Sequence, residues 1–318
     1  MCSSASQQVI IDMALLACLP NPLLGINSQT HPDGGKQQNF GLSGEPLMSQ
    51  SDKAFTGSIP ENYDRYLVPL IFKDYARDLA ARASALKPKA VLEIAAGSGV
   101  VTRELAPNLA EDATYAVTDL NQPMIDYAKA QQRADPRIVW QQGDAQALPF
   151  SDRSFDVVLC QFGFMFFPDR SLAYREAKRV LKNSGTFLFS VWDKIEQNIF
   201  AFDVTNALAE LFPNDPPRFL ARTPHGYFDQ NLIRAELEAA GFSDVMIETV
   251  EKQSRAPSPG IVALAYCEGT PLRNEIEVRG VLKEASDRAA RTIQQRHGSG
   301  EVSAKMQALV VSATAGVT

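Results

Sequence analysis

From residue 51 onward, the hydrophobic positions alternate between two periods. Between the strand-like runs, apolar residues recur at helical spacing, as in Leu172, Ala177 and Leu181, behind a capping Asp169. Strands that alternate with helices predict βαβ units, and hence a parallel sheet covered by helices on both faces. The five predicted strands are short apolar runs rich in β-branched residues: Ala90–Ile94, Thr114–Thr118, Arg137–Gln141, Phe155–Cys160 and Thr186–Val191.

The regular alternation loosens after the fifth strand. Residues 194–228 are too long for an ordinary connection, so we predict a lid-like insertion that contacts substrate. A capped helix follows, and Val245–Val250 and Ala308–Ser312 have the composition of two further strands. Residues 257–299 have helical periodicity, which predicts a helical insertion before the last strand.

The N-terminal part of the sequence has a different composition. Residues 1–47 are rich in Ser, Gln, Asn, Gly and Pro and show no period, which predicts a poorly ordered extension over residues 1–50 and a folded domain over 51–318. The apolar run Met13–Leu19 is far shorter than the roughly 20 residues of a membrane-spanning helix. It has no preceding basic residue and no cleavage site after it, so a secretory signal is not expected.

Charge and cysteine content narrow the classes of partner. The chain has 31 Lys and Arg against 37 Asp and Glu, with no basic run that would neutralise a phosphate backbone, which argues against nucleic acid as partner. Its four cysteines are scattered, without a C-x-x-C pair or a histidine at metal-ligand spacing. We therefore expect a cytoplasmic protein with a small-molecule partner, no metal site and no membrane span. Nothing in the sequence indicates an oligomeric state.

The candidate chemistry begins at Val91–Gly99, where a strand runs into a glycine-rich turn that opens a helix. Glycine lets a backbone approach a ligand closely, and the helix start offers free N–H groups to an anion. Asp119 ends the second strand, where a carboxylate can accept hydrogen bonds from both hydroxyls of a ribose. A third acid, Asp144, ends the third strand within Gly143-Asp144-Ala145. Acids at successive strand ends predict a nucleoside-containing ligand at this edge.

A dinucleotide site is the first alternative for this turn. Its G-x-G-x-x-G fingerprint requires a third glycine at the position of Thr102, and it has no counterpart of Glu93 on the strand. Two hypotheses about function stay open as alternatives: a nicotinamide-dependent oxidoreductase, and a non-catalytic nucleotide-binding module.

Over residues 55–313 the motifs resemble those of the class I S-adenosylmethionine-dependent methyltransferases, in their quinone-biosynthesis-like, small-molecule branch. The resemblance implies an α/β fold: a Rossmann-like, doubly wound, mostly parallel seven-stranded sheet with an antiparallel last strand. It also implies S-adenosyl-L-methionine as cofactor. In the family, the acid at Glu93 anchors the turn and the amino-acid end of the cofactor, and the acid at Asp144 takes the adenine amino group. Ala95 departs from the pattern, because it stands where the first glycine of the turn is usual, and its methyl group should crowd the turn slightly.

The predicted cofactor site joins these motif positions to nearby strand ends and to the helix before the first strand. The prediction for Asp119 is the most specific one. A carboxylate in a solvent-filled cleft would contribute to cofactor affinity alone, whereas a helix cap would contribute to the stability of the empty protein alone. His225, in the predicted lid, is a candidate general base, with an exposed histidine of no role as the alternative. The full predicted set is Tyr63, Glu93, Ala95, Gly97, Gly99, Thr102, Asp119, Leu120, Met124, Asp144, Ala145, Gln161 and Phe162.

The expected reaction is transfer of a methyl group to a small, apolar or aromatic molecule, by O- or C-methylation. Family members that methylate planar amines often carry Asn-Pro-Pro-Tyr after the fourth strand, where this chain has Gln161-Phe162-Gly163-Phe164. The aromatic-rich run Phe162–Phe167 either lines an apolar substrate pocket or belongs to the core.

Overall fold

A computed structural model describes residues 59–316, with side chains from Glu61 onward; the extension predicted for residues 1–50 lies outside the described residues. The described chain opens with consecutive helical segments: α1 (Ile59–Asn62), a π-helical segment (Tyr63–Phe72) and α2 (Lys73–Ala85). Pro69 lies inside the π-helical segment, where the Lys73 amide donates to the Val68 carbonyl five residues back. A proline ring clashes with the carbonyl four residues earlier in a regular α-helix, and the wider turns relieve that clash.

Seven strands form one sheet in the order β3-β2-β1-β4-β5-β7-β6. The first five are parallel to one another, and β7 is antiparallel to both of its neighbours, β5 and β6. This arrangement confirms the predicted doubly wound, mostly parallel sheet with an antiparallel last strand. The strands are β1 (Ala90–Glu93), β2 (Thr114–Asp119), β3 (Ile138–Gln142), β4 (Phe155–Gln161), β5 (Leu181–Trp192), β6 (Phe242–Ala256) and β7 (Val302–Ala315).

The helices pack around this sheet, and those of the two insertions contact each other. Helices α6 and α7 lie within residues 194–228, whereas α9, α10 and α11 lie within residues 257–299. Helix α11 packs against both α9 and α6, and α9 also packs against the π-helical segment. None of the helices in the described range is long and apolar enough to cross a membrane. The helices are α3 (Val100–Leu105), α4 (Gln122–Gln131), α5 (Arg170–Val180), α6 (Ile199–Leu211), α7 (Phe219–Arg222), α8 (Gln230–Ala239), α9 (Pro259–Glu268), α10 (Leu272–Arg279) and α11 (Leu282–His297).

The last two strands are much longer than the sequence pattern predicts. They are 15 and 14 residues long and pair from Phe242 opposite Ala315 to Ala256 opposite Val302. Polar residues occupy much of β6, which pairs only with β7 and is exposed along much of its length. A half-solvated edge strand carries too few apolar positions for its full length to be recognised from hydrophobicity.

Candidate active site

The turn after β1 is fixed to the strands on both sides of it. The Ile94 amide donates to the Leu159 carbonyl, and the Ala96 amide donates to the Thr118 carbonyl. Within the turn, Ala95, Gly97 and Gly99 have φ angles of 53°, 56° and 79°. Ala95 thus adopts a left-handed conformation that costs an L-residue roughly 1–2 kcal/mol. Its methyl group, which was predicted to crowd the turn, therefore needs space from a neighbouring residue.

Gly163 provides the space that the Ala95 methyl group needs. A Cβ atom on Gly163 would lie 2.8 Å from the Ala95 Cβ and 2.6 Å from the Cys160 Sγ. By contrast, a Cβ atom on Gly97 would meet nothing within 4 Å. The turn is therefore filled on the side of β4 and open at Gly97.

Glu93 lies beneath the turn and is 1% exposed. The Thr102 hydroxyl donates to its Oε2 at 2.7 Å, and the Tyr115 hydroxyl donates to the same oxygen. Burial raises the pKa of the Glu93 carboxyl to about 7, against the opposing effect of these two hydrogen bonds. The carboxyl joins β1 to α3 and β2. A cleft lies at the carboxyl ends of the parallel strands, and three members of the predicted cofactor set do not line it: Glu93, Gly99 and Thr102.

Asp119 accepts two backbone hydrogen bonds at the end of β2. The Gly97 amide donates to Oδ2 at 2.9 Å, and the Asn121 amide donates to Oδ1 at 2.8 Å. The side chain is 7% exposed, and burial raises the pKa of its carboxyl. The Asp119 side chain is therefore shielded from solvent. A carboxylate in a solvent-filled cleft would matter for affinity alone, and Asp119 does not meet that condition. The Asn121 side-chain amide also donates to Oδ1, at a longer 3.4 Å. The acceptor positions of the carboxylate that these three donors do not occupy remain for a ligand.

A cleft of about 1150 Å³, counting its open mouth, lies at the carboxyl ends of the parallel strands. Ligands of open α/β sheets bind at this edge. Asp144 lies in its wall and accepts the Gln146 amide at 2.9 Å. Most of the predicted set lines this one cleft: Tyr63, Ala95, Gly97, Asp119, Leu120, Met124, Asp144, Ala145, Gln161 and Phe162.

The rest of the cleft lining is mostly apolar. Part of it comes from the run after β4 and from residues 194–228, for which substrate contact was considered or predicted from the sequence; the remainder comes from the π-helical segment, β5 and residues 257–299, for which it was not. The cleft lining contains no lysine, arginine, histidine or glutamate among the described residues; the two aspartates are its only charged side chains. Trp192 stacks on Phe162 with ring centroids 3.9 Å apart and planes 5° apart. The additional apolar lining consists of Leu67, Ile71, Phe72, Phe166, Phe167, Pro168, Trp192, Phe219, Leu220, Pro224, Tyr266 and Pro271.

The aromatic run after β4 divides between the cleft and the core. Phe162, Phe166 and Phe167 line the cleft, whereas Phe164 and Met165 are buried behind it. Phe164 stacks on Tyr174 with centroids 4.4 Å apart. Both alternatives for this run are therefore realised, each by different residues.

The sequence of this chain is similar to those of known methyltransferases. Residues 92–189 match the family described as a methyltransferase domain. The chain is 30% identical, over 189 residues, to a ubiquinone/menaquinone biosynthesis C-methyltransferase from Bradyrhizobium sp., covering 56% of this chain and 72% of the relative. A protein of the same name from Saccharophagus degradans is 26% identical over 206 residues, covering 61% and 79%.

This chain belongs to the class I S-adenosylmethionine-dependent methyltransferases. It is of the quinone-biosynthesis-like type and uses S-adenosylmethionine as methyl donor. The chain is therefore neither the oxidoreductase nor the non-catalytic module considered from the sequence.

Solved structures share the methyltransferase fold at low identity. The YcgJ protein of Bacillus subtilis has a TM-score of 0.51 at 21% identity, covering 77% of this chain and 100% of that one. Phosphoethanolamine N-methyltransferase 2 of Haemonchus contortus, solved with S-adenosylhomocysteine, has a TM-score of 0.55 at 16% identity, covering 86% and 62%.

In this methyltransferase, an ionic cluster fastens the π-helical segment beside the glycine turn. Arg103 donates to the Asp64 carboxylate at 2.8 Å and to the Ser98 carbonyl at 2.6 Å. The Tyr127 hydroxyl donates to the other Asp64 oxygen at 3.3 Å. The segment that carries Tyr63 is thereby fixed to α3 and α4, which flank the cofactor-side residues of the cleft.

His225 is buried beside the methyltransferase cleft and does not line it; its neighbour Pro224 does. Its Nδ1 donates to the Asp193 carbonyl at 2.8 Å, and burial lowers its pKa to about 4. His225 is therefore not an exposed side chain. It also does not lie in the cleft, where a general base would have to be. Within residues 59–316, no group of three or more His, Cys, Asp or Glu side chains is arranged to hold a metal ion.

Proposed function

We propose that this methyltransferase methylates a ring carbon of a small, hydroxyl-bearing aromatic molecule, a quinol by chemical class. The observation that carries the proposal is the apolar, largely aromatic part of the cleft lining, the apolar half, which comes from segments other than those that carry Asp119 and Asp144. An uncharged planar acceptor buries its faces against such side chains, whereas an amine or phosphate would be left without a charged partner. The C-methyltransferase names of the relatives support the same class.

We further propose how the cofactor lies in the other half. Asp119 would accept hydrogen bonds from the ribose hydroxyls, and Asp144 would accept one from the adenine amino group, with Leu120 and Met124 against the base. The open backbone at Gly97 leaves room for the amino-acid end. The donor and acceptor set suits the cofactor, because each acid lies at a strand end in one continuous cleft.

The chemistry expected of the chain itself is positioning and exclusion of water. When bound, S-adenosylmethionine supplies an electrophilic methyl group on a sulfonium, so a covalent nucleophile is not needed. The stacked Phe162 and Trp192 lie where β4 and β5 end and would hold an aromatic ring in a dry site. Alignment of the ring carbon with the methyl group would supply most of the acceleration. Since the lining contains no histidine or lysine that could act as a base, the ring proton would pass to water at the open mouth of the cleft after the methyl group has been transferred.

A labelled-methyl experiment tests the proposed acceptor class. The enzyme is incubated with ¹³C-methyl S-adenosylmethionine and, in parallel, with a 1,4-naphthoquinol unsubstituted at carbon 2, with 1-naphthol and with phosphoethanolamine. We expect the quinol to gain a carbon-bound methyl group, identified by its ¹³C chemical shift, and phosphoethanolamine to gain none. Methylation of the amine, methylation of oxygen alone, or no transfer to either ring compound would contradict the proposal.

A pair of substitutions at Tyr63 tests the proposed cofactor position. The Tyr63 ring stacks on Phe72 with centroids 5.0 Å apart and lines the cleft. Tyr63→Ala should weaken S-adenosylhomocysteine binding about tenfold, the equivalent of about 1.4 kcal/mol for a lost ring face. Tyr63→Phe keeps the ring and should change affinity less than about threefold.

Calorimetry measures both, with Tyr66→Ala as the matched control. Tyr66 is on the same π-helical segment but does not line the cleft. Equal and negligible effects of the two Tyr63 variants would remove this residue from the cofactor site.

A further inference from the structure

Tyr266 is a deeply buried residue in the wall of the cleft whose hydroxyl has no hydrogen bond within the described chain. The residue is on α9, within the helical insertion, is 5% exposed and lines the cleft. Its hydroxyl has no hydrogen-bond partner among residues 59–316, and burial is the sole influence on its raised pKa. The hydroxyl of a tyrosine side chain that is this deeply buried usually has a partner, so one without a partner in the wall of a cleft indicates a group that a ligand completes.

The neighbouring Thr270 hydroxyl makes no hydrogen bond with the Tyr266 hydroxyl and is bonded elsewhere. It donates to the Tyr266 backbone carbonyl at 2.7 Å and accepts the Leu272 amide at 3.2 Å. These two bonds fix the end of α9 and so help to hold the Tyr266 ring in the wall. At neutral pH the phenol remains protonated because burial raises its pKa, which makes it a hydrogen-bond donor.

Gln161, at the end of β4, supplies a second polar atom to the same cleft. Its Nε2 donates to the Phe72 carbonyl at 3.2 Å, which fixes the orientation of the amide. Its Oε1 is buried and has no partner in the described part of the chain. The residues that line the cleft therefore include a tyrosine hydroxyl on α9 and a carboxamide oxygen on β4 that have no partner within the described chain.

We propose that Tyr266 and Gln161 select the methyl acceptor by its oxygen substituents. The Tyr266 hydroxyl donates to an oxygen of the acceptor, and the Gln161 Oε1 accepts from an acceptor hydroxyl. The inference rests on the proposed function, because it places the acceptor in the apolar half. Sites built to bind a hydroxyl discriminate strongly against analogues that lack it, since their own polar groups then remain unpaired. Tyr266 and Gln161 thus become determinants of specificity for a hydroxylated ring.

Binding of two matched probes tests this assignment without turnover. With the enzyme saturated in S-adenosylhomocysteine, 1-naphthol and naphthalene are titrated by equilibrium dialysis. We expect the wild type to bind 1-naphthol at least tenfold more tightly than naphthalene. Tyr266→Phe and Gln161→Met should each weaken 1-naphthol binding about three- to tenfold and leave naphthalene binding unchanged. Tyr75→Phe is the control, because it removes a buried hydroxyl that donates to the Val250 carbonyl outside the cleft.

The outcomes separate this inference from the proposed function. If the wild type prefers 1-naphthol and both variants keep the full preference, the assignment of Tyr266 and Gln161 is overturned while the acceptor class stands. If the wild type binds neither probe, or binds both equally, the hydroxylated aromatic acceptor and this inference both fail. Equal weakening of both probes in Tyr266→Phe would show a packing role only, and would also overturn the assignment.

Discussion

Replacing Asp119 by alanine is expected to weaken binding of S-adenosylmethionine and S-adenosylhomocysteine by about ten- to a hundredfold. The physical reason is the loss of two hydrogen bonds to a charged acceptor, which contribute on the order of 1.5–3 kcal/mol. The two ligands should be affected equally, because they share the ribose and differ at sulfur. Asp119→Asn, which keeps one acceptor oxygen, should lie between the wild type and the alanine variant in calorimetric titrations.

The same substitution should also destabilise the empty protein by about 1–2 kcal/mol, because Asp119 fixes the Gly97 and Asn121 amides as well. Asp126→Ala is a suitable control, since Asp126 is an exposed side chain of α4 bonded to Gln122. Loss of stability in Asp119→Ala with unchanged affinity for both ligands would mean that Asp119 only holds the turn, and that the ribose lies elsewhere.

Glu93→Gln and His225→Asn are expected to change the pH dependence of stability in opposite directions. In the folded protein, the Glu93 pKa is raised from 4.5 to about 7, so the folded state keeps a proton that the unfolded state has lost. The free energy of unfolding therefore falls as pH rises from about 4.5 to 7. The His225 pKa is lowered from 6.5 to about 4, so the unfolded state binds a proton that the folded state does not. This contribution is complete above pH 6.5 and is lost as pH falls towards 4.

Each effect is about 3 kcal/mol over its range, and in the wild type the two offset each other between about pH 4.5 and 6.5. Relative to wild type, Glu93→Gln should therefore gain stability as pH rises, whereas His225→Asn should lose it. Urea unfolding at several pH values between 4.5 and 7.5 measures both differences. If either difference is independent of pH, the corresponding side chain does not titrate with the pKa shift expected from its burial.

The sequence predicts most of the fold because buried parallel strands are continuous apolar runs. β1, β2, β4 and β5 are central to the sheet, and their hydrophobicity marks them. The full length of β6 has no such signal, because β6 is an edge strand in which polar, exposed residues interrupt the apolar positions. The antiparallel last strand follows from the family resemblance and is confirmed by the pairing of β7 with β5 and β6.

The cofactor half of the candidate site is also largely predictable, because its residues stand at strand ends, where position in the chain fixes position in space. Glu93 is the instructive exception: its side chain faces the Thr102 and Tyr115 hydroxyls under the turn, so a strand-end acid need not face the ligand.

The acceptor half could be predicted from the sequence only in part: residues 194–228 were predicted to contact substrate and supply Phe219 to the cleft, whereas residues 257–299, which supply Tyr266, were not. Phe219 and Tyr266 come from two insertions far apart in the chain, and their apolar neighbours follow the same helical spacing as core residues. Whether a tyrosine hydroxyl has a partner depends on tertiary contacts, which leave no trace in the local pattern.

A crystal structure of the complex with S-adenosylhomocysteine tests the account most directly. The predicted result is a nucleoside in the cleft with both ribose hydroxyls within hydrogen-bond distance of the Asp119 carboxylate and the adenine amino group at Asp144. The sulfur should point towards Phe162 and Trp192, with the space beside Tyr266 left for the acceptor. A nucleoside bound outside this cleft, or with its ribose turned away from Asp119, would contradict it.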